Sequence, residues 1–342
     1  MTWPDCPFFL FGMGDRRKLL YRGGALLDPF TGDTVRRWEI AADRLFASEY
    51  AVRLTKPDGR IVSITEDESG VRIEENGRQS SLTESRLSLP RFEDYSHGAL
   101  LRTLHHDLLV SLTDGRPVPN ILVYPKPWYR DAAMMCLALE RTGNLRLVRD
   151  WALSLREPFD ENNQCREPDN LGQALYLISL FSDRSHPLVA TVLETIPQYR
   201  RGDYLVGLTD GAEHPVYQTK WLKFGLRRLG LDDPFRIPPV FDSYSALFWM
   251  GYTDDHVVGP AFDEGAKENY PYLAWAEAHF HRSGPPTPLP RDQYPVTWEA
   301  NASQADYGGM RVVGGEYVTR RLCTPHSWHA AEMFLYLLDL DR

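Results

Sequence analysis

With 342 residues and a formal net charge of −9, the chain has no basic surplus for binding nucleic acid. Hydrophobic residues make up 43% and charged residues 25%, the balance of a globular protein with a large core rather than a disordered or fibrous chain. No apolar run approaches the roughly 18 residues of a membrane span. The FFLF patch near the N-terminus has no basic stretch before it and no cleavage site after it, so neither a membrane partner nor a signal peptide is expected.

The four cysteines, Cys6, Cys136, Cys165 and Cys323, are scattered and form no CxxC pair, which predicts a reduced, cytoplasmic protein. Cys136 falls in an apolar segment, where a cysteine acts as a small filler.

Residues 1–92 read as a β-rich region. KLLYRG, AVRLT, RIVSIT and GVRIEE are short, alternating and rich in β-branched residues. The turn words Arg22-Gly23-Gly24, Pro57-Asp58-Gly59 and Glu75-Asn76-Gly77 separate them, predicting an antiparallel sheet or sandwich. From Tyr95 the pattern becomes helical and stays so over 93–342. HGALLRTLHHDLLVSL is amphipathic, and an extended link follows from Pro117 to Pro127. Helices are then expected at Pro127 to Thr142, Leu145 to Leu155 and Asn170 to Phe181. The first and third are apolar nearly all round (AAMMCLAL, ALYLISLF), which predicts burial on every side. Further helices are expected at Pro187 to Arg200, Pro215 to Leu229, Asp242 to Tyr252, Tyr270 to Arg282 and Pro325 to Leu340. A loop from Ser283 to Pro295 holds five prolines, and no repeat of fixed period is present.

Polar words stand at the mouths of the buried helices. Trp128-Tyr129-Arg130-Asp131 opens the first, and Glu167-Pro168-Asp169-Asn170-Leu171-Gly172-Gln173 opens the third. Asp131 in a first helical turn also suits the helix dipole, and Asn170 with Gln173 fits a capping box. Later in the chain come Thr297-Trp298-Glu299, followed by Asp306 and Tyr307, and the closing Ser327-Trp328-His329-Ala330-Ala331-Glu332. Asp242 reads most simply as an N-cap.

These words, in this order, resemble the six-hairpin glycosidases, among them the glucoamylase-like enzymes and the unsaturated glucuronyl hydrolases. The resemblance covers roughly residues 95–342. It implies a mainly α fold, an (α/α)6-barrel or toroid, here with an N-terminal antiparallel β region. It further implies that Arg130 and Asp131 hold sugar hydroxyls, that Glu167 or Asp169 protonates the leaving oxygen, and that Glu299 activates water. Trp128, Tyr129, Trp298, Asp306, Tyr307, His326 and Trp328 would line the substrate site.

The local chemistry agrees with that division of labour. Glycoside hydrolysis commonly needs two carboxyl groups, one protonated and one ionised, beside aromatic faces. The expected function is therefore a glycoside hydrolase acting on an oligosaccharide or glycoside, inverting by analogy. The alternatives are a polysaccharide lyase or sugar epimerase on the same toroid, with Tyr129, Arg320 and Arg321 as the relevant groups, or a non-catalytic sugar-binding scaffold.

No cofactor is expected, because GxGxxG, P-loop and GxSxG words are all missing and Gly207-Leu208-Thr209-Asp210-Gly211 reads as a turn. His326, His329 and Glu332 fall at i, i+3 and i+6 but lack the HExxH word, and His105-His106 and His279/His281 point to different faces, so no metal is expected either. A homo-oligomer is compatible with the sequence.

Overall fold

The computed structural model describes residues 8–240, 242, 315–320 and 326–340. The chain begins with two antiparallel meanders. The first sheet comprises β1 (Phe9–Phe11), β2 (Leu19–Arg22), β3 (Ala25–Leu27) and β4 (Thr34–Arg37). The second comprises β5 (Ala42–Phe46), β6 (Ala51–Thr55), β7 (Ile61–Asp67), β8 (Gly70–Glu75) and β9 (Arg78–Glu84). The expected hairpins form at the turn words: Arg22 pairs with Ala25, Thr55 with Ile61 and Glu75 with Arg78.

Strand period two explains the buried face of the second sheet. Val52 and Leu54, Val62 and Ile64, and Val71 and Ile73 point inward, while Arg53, Ser63 and Arg72 alternate away from that face. Glu66 breaks the apolar pattern for a reason. Its buried carboxylate accepts from the backbone N–H of Gly12 (2.9 Å) and Met13 (2.7 Å) and from Arg16 Nη1 (2.8 Å), tying the β1–β2 loop to β7. Gly12 has φ +96° there, and a Cβ would meet Arg17 O at 2.2 Å, so the loop needs glycine.

Helix α1 (Gly98–Val110) lies against this β region. His106 Nε2 is 2.8 Å from Leu10 O, and its ring stacks on Tyr50. A short hairpin, β10 (Leu112–Thr113) and β11 (Arg116–Pro117), leads to α2 (Tyr129–Thr142). The expected helix over 145–155 is divided into a 3-10 turn, Leu145–Val148, and α3 (Arg149–Ser154). Next come α4 (Asp169–Ser179), α5 (Pro187–Thr195), two tight hairpins formed by β12 (Arg200–Arg201) with β13 (Tyr204–Leu205) and β14 (Leu208–Thr209) with β15 (Ala212–Glu213), and α6 (Pro215–Arg228). Two further helices are α7 (Gly315–Arg320) and α8 (Ser327–Leu340).

Helices α8, α2, α4 and α6 are neighbours in that order and run parallel. Asp131 meets Trp328 at the N-terminal ends of α2 and α8, and Arg141 meets Asp339 at their C-terminal ends. Arg130 meets Asp169 at the openings of α2 and α4. The α4–α6 contact is backbone to backbone: a Cβ on Gly172 would lie 2.1 Å from Trp221 C, and one on Gly225 2.5 Å from Gly172 O. Four N-termini therefore gather at one end, each with a positive partial charge from unpaired N–H groups.

The expectation of a mainly α toroid is not met. Of the described residues 38% are helical and 23% are strand, and they trace no toroid. The expected N-terminal antiparallel region is present, as two sheets. The apolar helices are buried as expected, but α1 is covered partly by β1 and Tyr50, so helix is not buried by helix alone. Periodicity shows which faces are covered and not what covers them. No described helix is long and apolar enough to cross a membrane.

Candidate functional site

The gathered N-termini surround Arg130. Its guanidinium is buried and reaches three carboxylates: Nη1 to Asp210 Oδ2 at 2.7 Å, Nη2 to Glu167 Oε2 at 3.2 Å and Nε to Asp169 Oδ2 at 3.2 Å. Its charge centre lies 5.8 Å from the Trp328 ring. Burial opposes the arginine's charge, but Asp169, Asp210 and Glu167 outweigh it and hold the guanidinium pKa well above its ordinary value. One cation faces three carboxyl groups, so the cluster favours a proton on one of them.

The three carboxyls are held differently. Asp169 is fully buried in the first turn of α4. Its oxygens accept from Arg130 Nε, from Gln173 Nε2 at 2.9 Å and from the Thr209 hydroxyl at 2.9 Å. Gln173 belongs to this network and to Asn170 (3.0 Å), and no capping box forms. Glu167 lies in the loop before α4. Its Oε1 accepts from Asp210 N at 2.6 Å and Asn163 Nδ2 at 3.0 Å. Burial pushes its pKa up; Arg130 pulls the other way, and the charges of Asp169 and Asp210 add to the rise. Asp210 is where the cluster meets water: its side chain is 31% exposed against 4% for Arg130 and Glu167.

Asp210 occupies a two-residue hairpin turn between β14 and β15. Its φ of 49° and the 81° of Gly211 are those of a type I′ turn, which Asp-Gly favours. The turn word at 207–211 thus hides an acid, and its identity as a turn is what obscured it in the sequence. Thr209, read as part of that turn, and Asn163, in the polar run before α4, carried no signal of their own, because a short polar segment has no periodicity.

Asp131, beside Arg130 in the sequence, is engaged with the start of α8. Its Oδ1 accepts from the Trp328 N–H at 3.2 Å and the Ser327 hydroxyl at 3.4 Å, pinning the start of α8 to α2. Burial raises its pKa, opposed by His326, Arg130, the Trp328 N–H and His329. Tyr129 is buried too. Its N–H donates to Asp160 at 2.7 Å and its hydroxyl to Glu157 O at 2.7 Å, so it fastens the 155–168 loop. Asp242 accepts the Tyr217 N–H at 3.0 Å and lies 2.9 Å from His214 Nδ1, so it caps α6; apart from Asp242 itself, the helix expected from Asp242 to Tyr252 lies outside the described residues.

Aromatic rings flank the same end. Trp128 is half-buried, its ring edge-on to Tyr124, which in turn meets His326 at 4.5 Å between centroids. His326 and Trp328 both contact the ring of His329. The structure thus brings together Trp128, Arg130, Asp131, Glu167, Asp169, His326 and Trp328, and adds Asp210. The residues Trp298, Glu299, Asp306 and Tyr307 lie outside the described residues. Among the described residues no group of three or more His, Cys, Asp or Glu side chains is placed to hold a metal ion.

Chemically, the site offers a buried carboxyl biased toward its protonated form, a permanent cation, and aromatic surfaces at the ends of four helices. Comparison of the chain with protein-family models, curated proteins and solved structures gives no match.

Proposed function

We propose that the protein is a carbohydrate-active enzyme, a glycoside hydrolase that cleaves a glycosidic bond with inversion, using Glu167 as the general acid and Glu299 as the base. The observation that carries this reading is the unequal set of carboxyls around Arg130. Glu167 is buried and displaced toward the protonated form, whereas Asp169 is saturated by donors and Asp210 is part exposed. A proton held on one carboxyl at working pH is what protonation of a leaving oxygen requires.

In the reaction, the Glu167 proton passes to the glycosidic oxygen as the C–O bond breaks, and the bonding pair leaves with that oxygen. Water adds to the anomeric carbon from the other face and gives its proton to Glu299. Asp210 is not the partner across the bond. It shares a guanidinium with Glu167, donates its own N–H to Glu167, and the two side chains are bridged by Asn163, so a sugar does not fit between them. Its role is to raise the proton affinity of Glu167. Trp128 and His326 offer partly exposed rings for stacking on a sugar face, with Trp298, Asp306 and Tyr307 completing the site. The free thiols of Cys136 and Cys165 favour a reducing, cytoplasmic setting.

The elimination chemistry of a lyase receives less support: the Tyr129 hydroxyl is committed to Glu157 O and burial raises its pKa, which makes it a poor base. The test is to incubate the protein with neutral and acidic disaccharides and aryl glycosides in 18O-water. Release of a reducing sugar carrying one 18O, first seen as the inverted anomer by NMR, is expected. An unsaturated product, or no product from any glycoside, would refute the assignment.

A further inference from the structure

The two N-terminal sheets meet in a cleft of about 460 Å³, remote in sequence from every residue of the Arg130 cluster. One wall is the end of β4 with Trp38 and Glu39; the other is the β6–β7 turn, from Lys56 to Arg60. Glu75, the last residue of β8, joins them. Its Oε2 accepts from Arg36 Nη2 at 2.8 Å and from the Trp38 indole at 3.4 Å, and its Oε1 accepts from Lys56 Nζ at 3.1 Å. The Arg36 guanidinium also lies 5.3 Å from the Trp38 ring centre.

The lining holds four cations, Arg36, Arg37, Lys56 and Arg60, against three carboxylates, Glu39, Asp58 and Glu75, a surplus of one positive charge on a chain whose net charge is −9. The sign of the surface is thus reversed locally. Arg36 and Lys56 are held in place by Glu75, and Arg60 by Asp58 through Nε at 2.7 Å, so three of the four cations are oriented in advance and a ligand need not order them. Arg37 stands exposed at the rim. A volume of this size suits one small ligand, and the polar lining excludes an apolar one. Guanidinium groups match the planar or trigonal oxygens of carboxylate, sulfate and phosphate, while the neighbouring carboxylates accept from hydroxyls.

We propose that this cleft is a second binding site, for an acidic saccharide: a sugar unit that carries a carboxylate, sulfate or phosphate group. Arg37 and Arg60 grip the anionic group from opposite walls, with Glu39 and Asp58 facing the hydroxyls. The site stands independently of the hydrolase reading, since none of its residues belongs to that chemistry.

Titration of the full chain by calorimetry with glucuronate, glucose 6-sulfate, glucose 6-phosphate and glucose tests the proposal, with inorganic sulfate and phosphate as separate arms. At least one acidic sugar is expected to bind saturably and more tightly than the matching inorganic anion, glucose is expected not to bind, and added salt should weaken the interaction. Arg37→Ala and Arg60→Ala, both on exposed side chains, should each weaken binding about tenfold or more. Circular dichroism should show both variants folded. Absence of binding by all three acidic sugars, equal binding of glucose, preference for the bare inorganic anions, or unchanged affinity in the two variants would each overturn it.

Discussion

Arg130 decides the character of the candidate site because it supplies one positive charge to three carboxyl groups. Removing it leaves those carboxyls facing one another in a water-poor setting. Arg130→Met should cost about 3–5 kcal/mol, the range for breaking a buried ion pair, measured by urea denaturation at neutral pH. Lowering the pH should recover part of that loss, because protonation relieves the repulsion. Asp131 is predicted to behave otherwise. Its carboxylate receives two donors from the start of α8. Asp131→Ala should therefore lower stability by about 1–2 kcal/mol, as the loss of a helix-capping acceptor does, while turnover per folded molecule is kept. A selective loss of turnover with unchanged melting temperature would return Asp131 to the sugar-binding role that the WYRD word suggests. At this scale the sequence was half legible. Arg130, Glu167 and Asp169 stand in conspicuous words at helix mouths, whereas Asp210 is concealed inside an Asp-Gly turn, where the dipeptide's conformational preference explains its presence without any chemistry.

The helices act as the positioning device. Asp131 and Asp169 lie in the first turns of α2 and α4, and Asp160 and Asp242 accept N–H groups from the first turns of α2 and α6. Carboxylates collect at helix N-termini because the unpaired N–H groups there attract negative charge. The parallel alignment of α4 and α6 depends on Gly172 and Gly225, where backbones come too close for side chains. Gly172→Ala should destabilise by roughly 1–3 kcal/mol or more, the cost of overpacking, despite the better helix propensity of alanine. A stabilised variant in thermal unfolding would show that α4 and α6 can separate without penalty. Among the described residues the elements were readable segment by segment: the expected strands and helices recur within a few residues, except that 145–155 divides at Val148 and the helix expected to reach Arg200 ends at Thr195; apart from Asp242, the helices expected at Asp242 to Tyr252 and Tyr270 to Arg282 lie outside the described residues. The close α4–α6 approach was not readable, since a lone glycine inside a helix pattern carries no partner information.

Across the whole molecule, the β region and the helices share one apolar core, running from Phe8–Phe11 through α1 to α8 and α2. This is why the expectation of a mainly α toroid failed. The sequence marked α2 and α4 as buried on every side, but burial is satisfied equally by sheet, loop or helix. One group in that core is at odds with its surroundings. Glu332 on α8 is buried, neither carboxyl oxygen has a hydrogen-bond partner among the described residues, and burial raises its pKa well above the ordinary value. A raised folded-state pKa contributes stability that is fully present below the unfolded value of about 4.3 and is lost as pH rises, because the unfolded carboxyl ionises freely. Glu332→Gln removes that ionisation. It should raise the unfolding free energy by up to about 3 kcal/mol at pH 7 and change it little at pH 4. Equal effects at the two pH values would mean that Glu332 is ionised in the fold.

The central claim is that Glu167 donates the proton to the leaving group, and it is tested most directly by the dependence of Glu167→Gln turnover on the leaving group. The rate on an oligosaccharide whose leaving oxygen needs protonation should fall by about 10²–10⁴-fold, the usual share of general acid catalysis. On the glycosyl fluoride of the same sugar, which leaves without a proton from the acid, the loss should be less than about tenfold. Equal losses on both substrates, or the same selectivity appearing in Asp210→Asn and not in Glu167→Gln, would contradict the assignment.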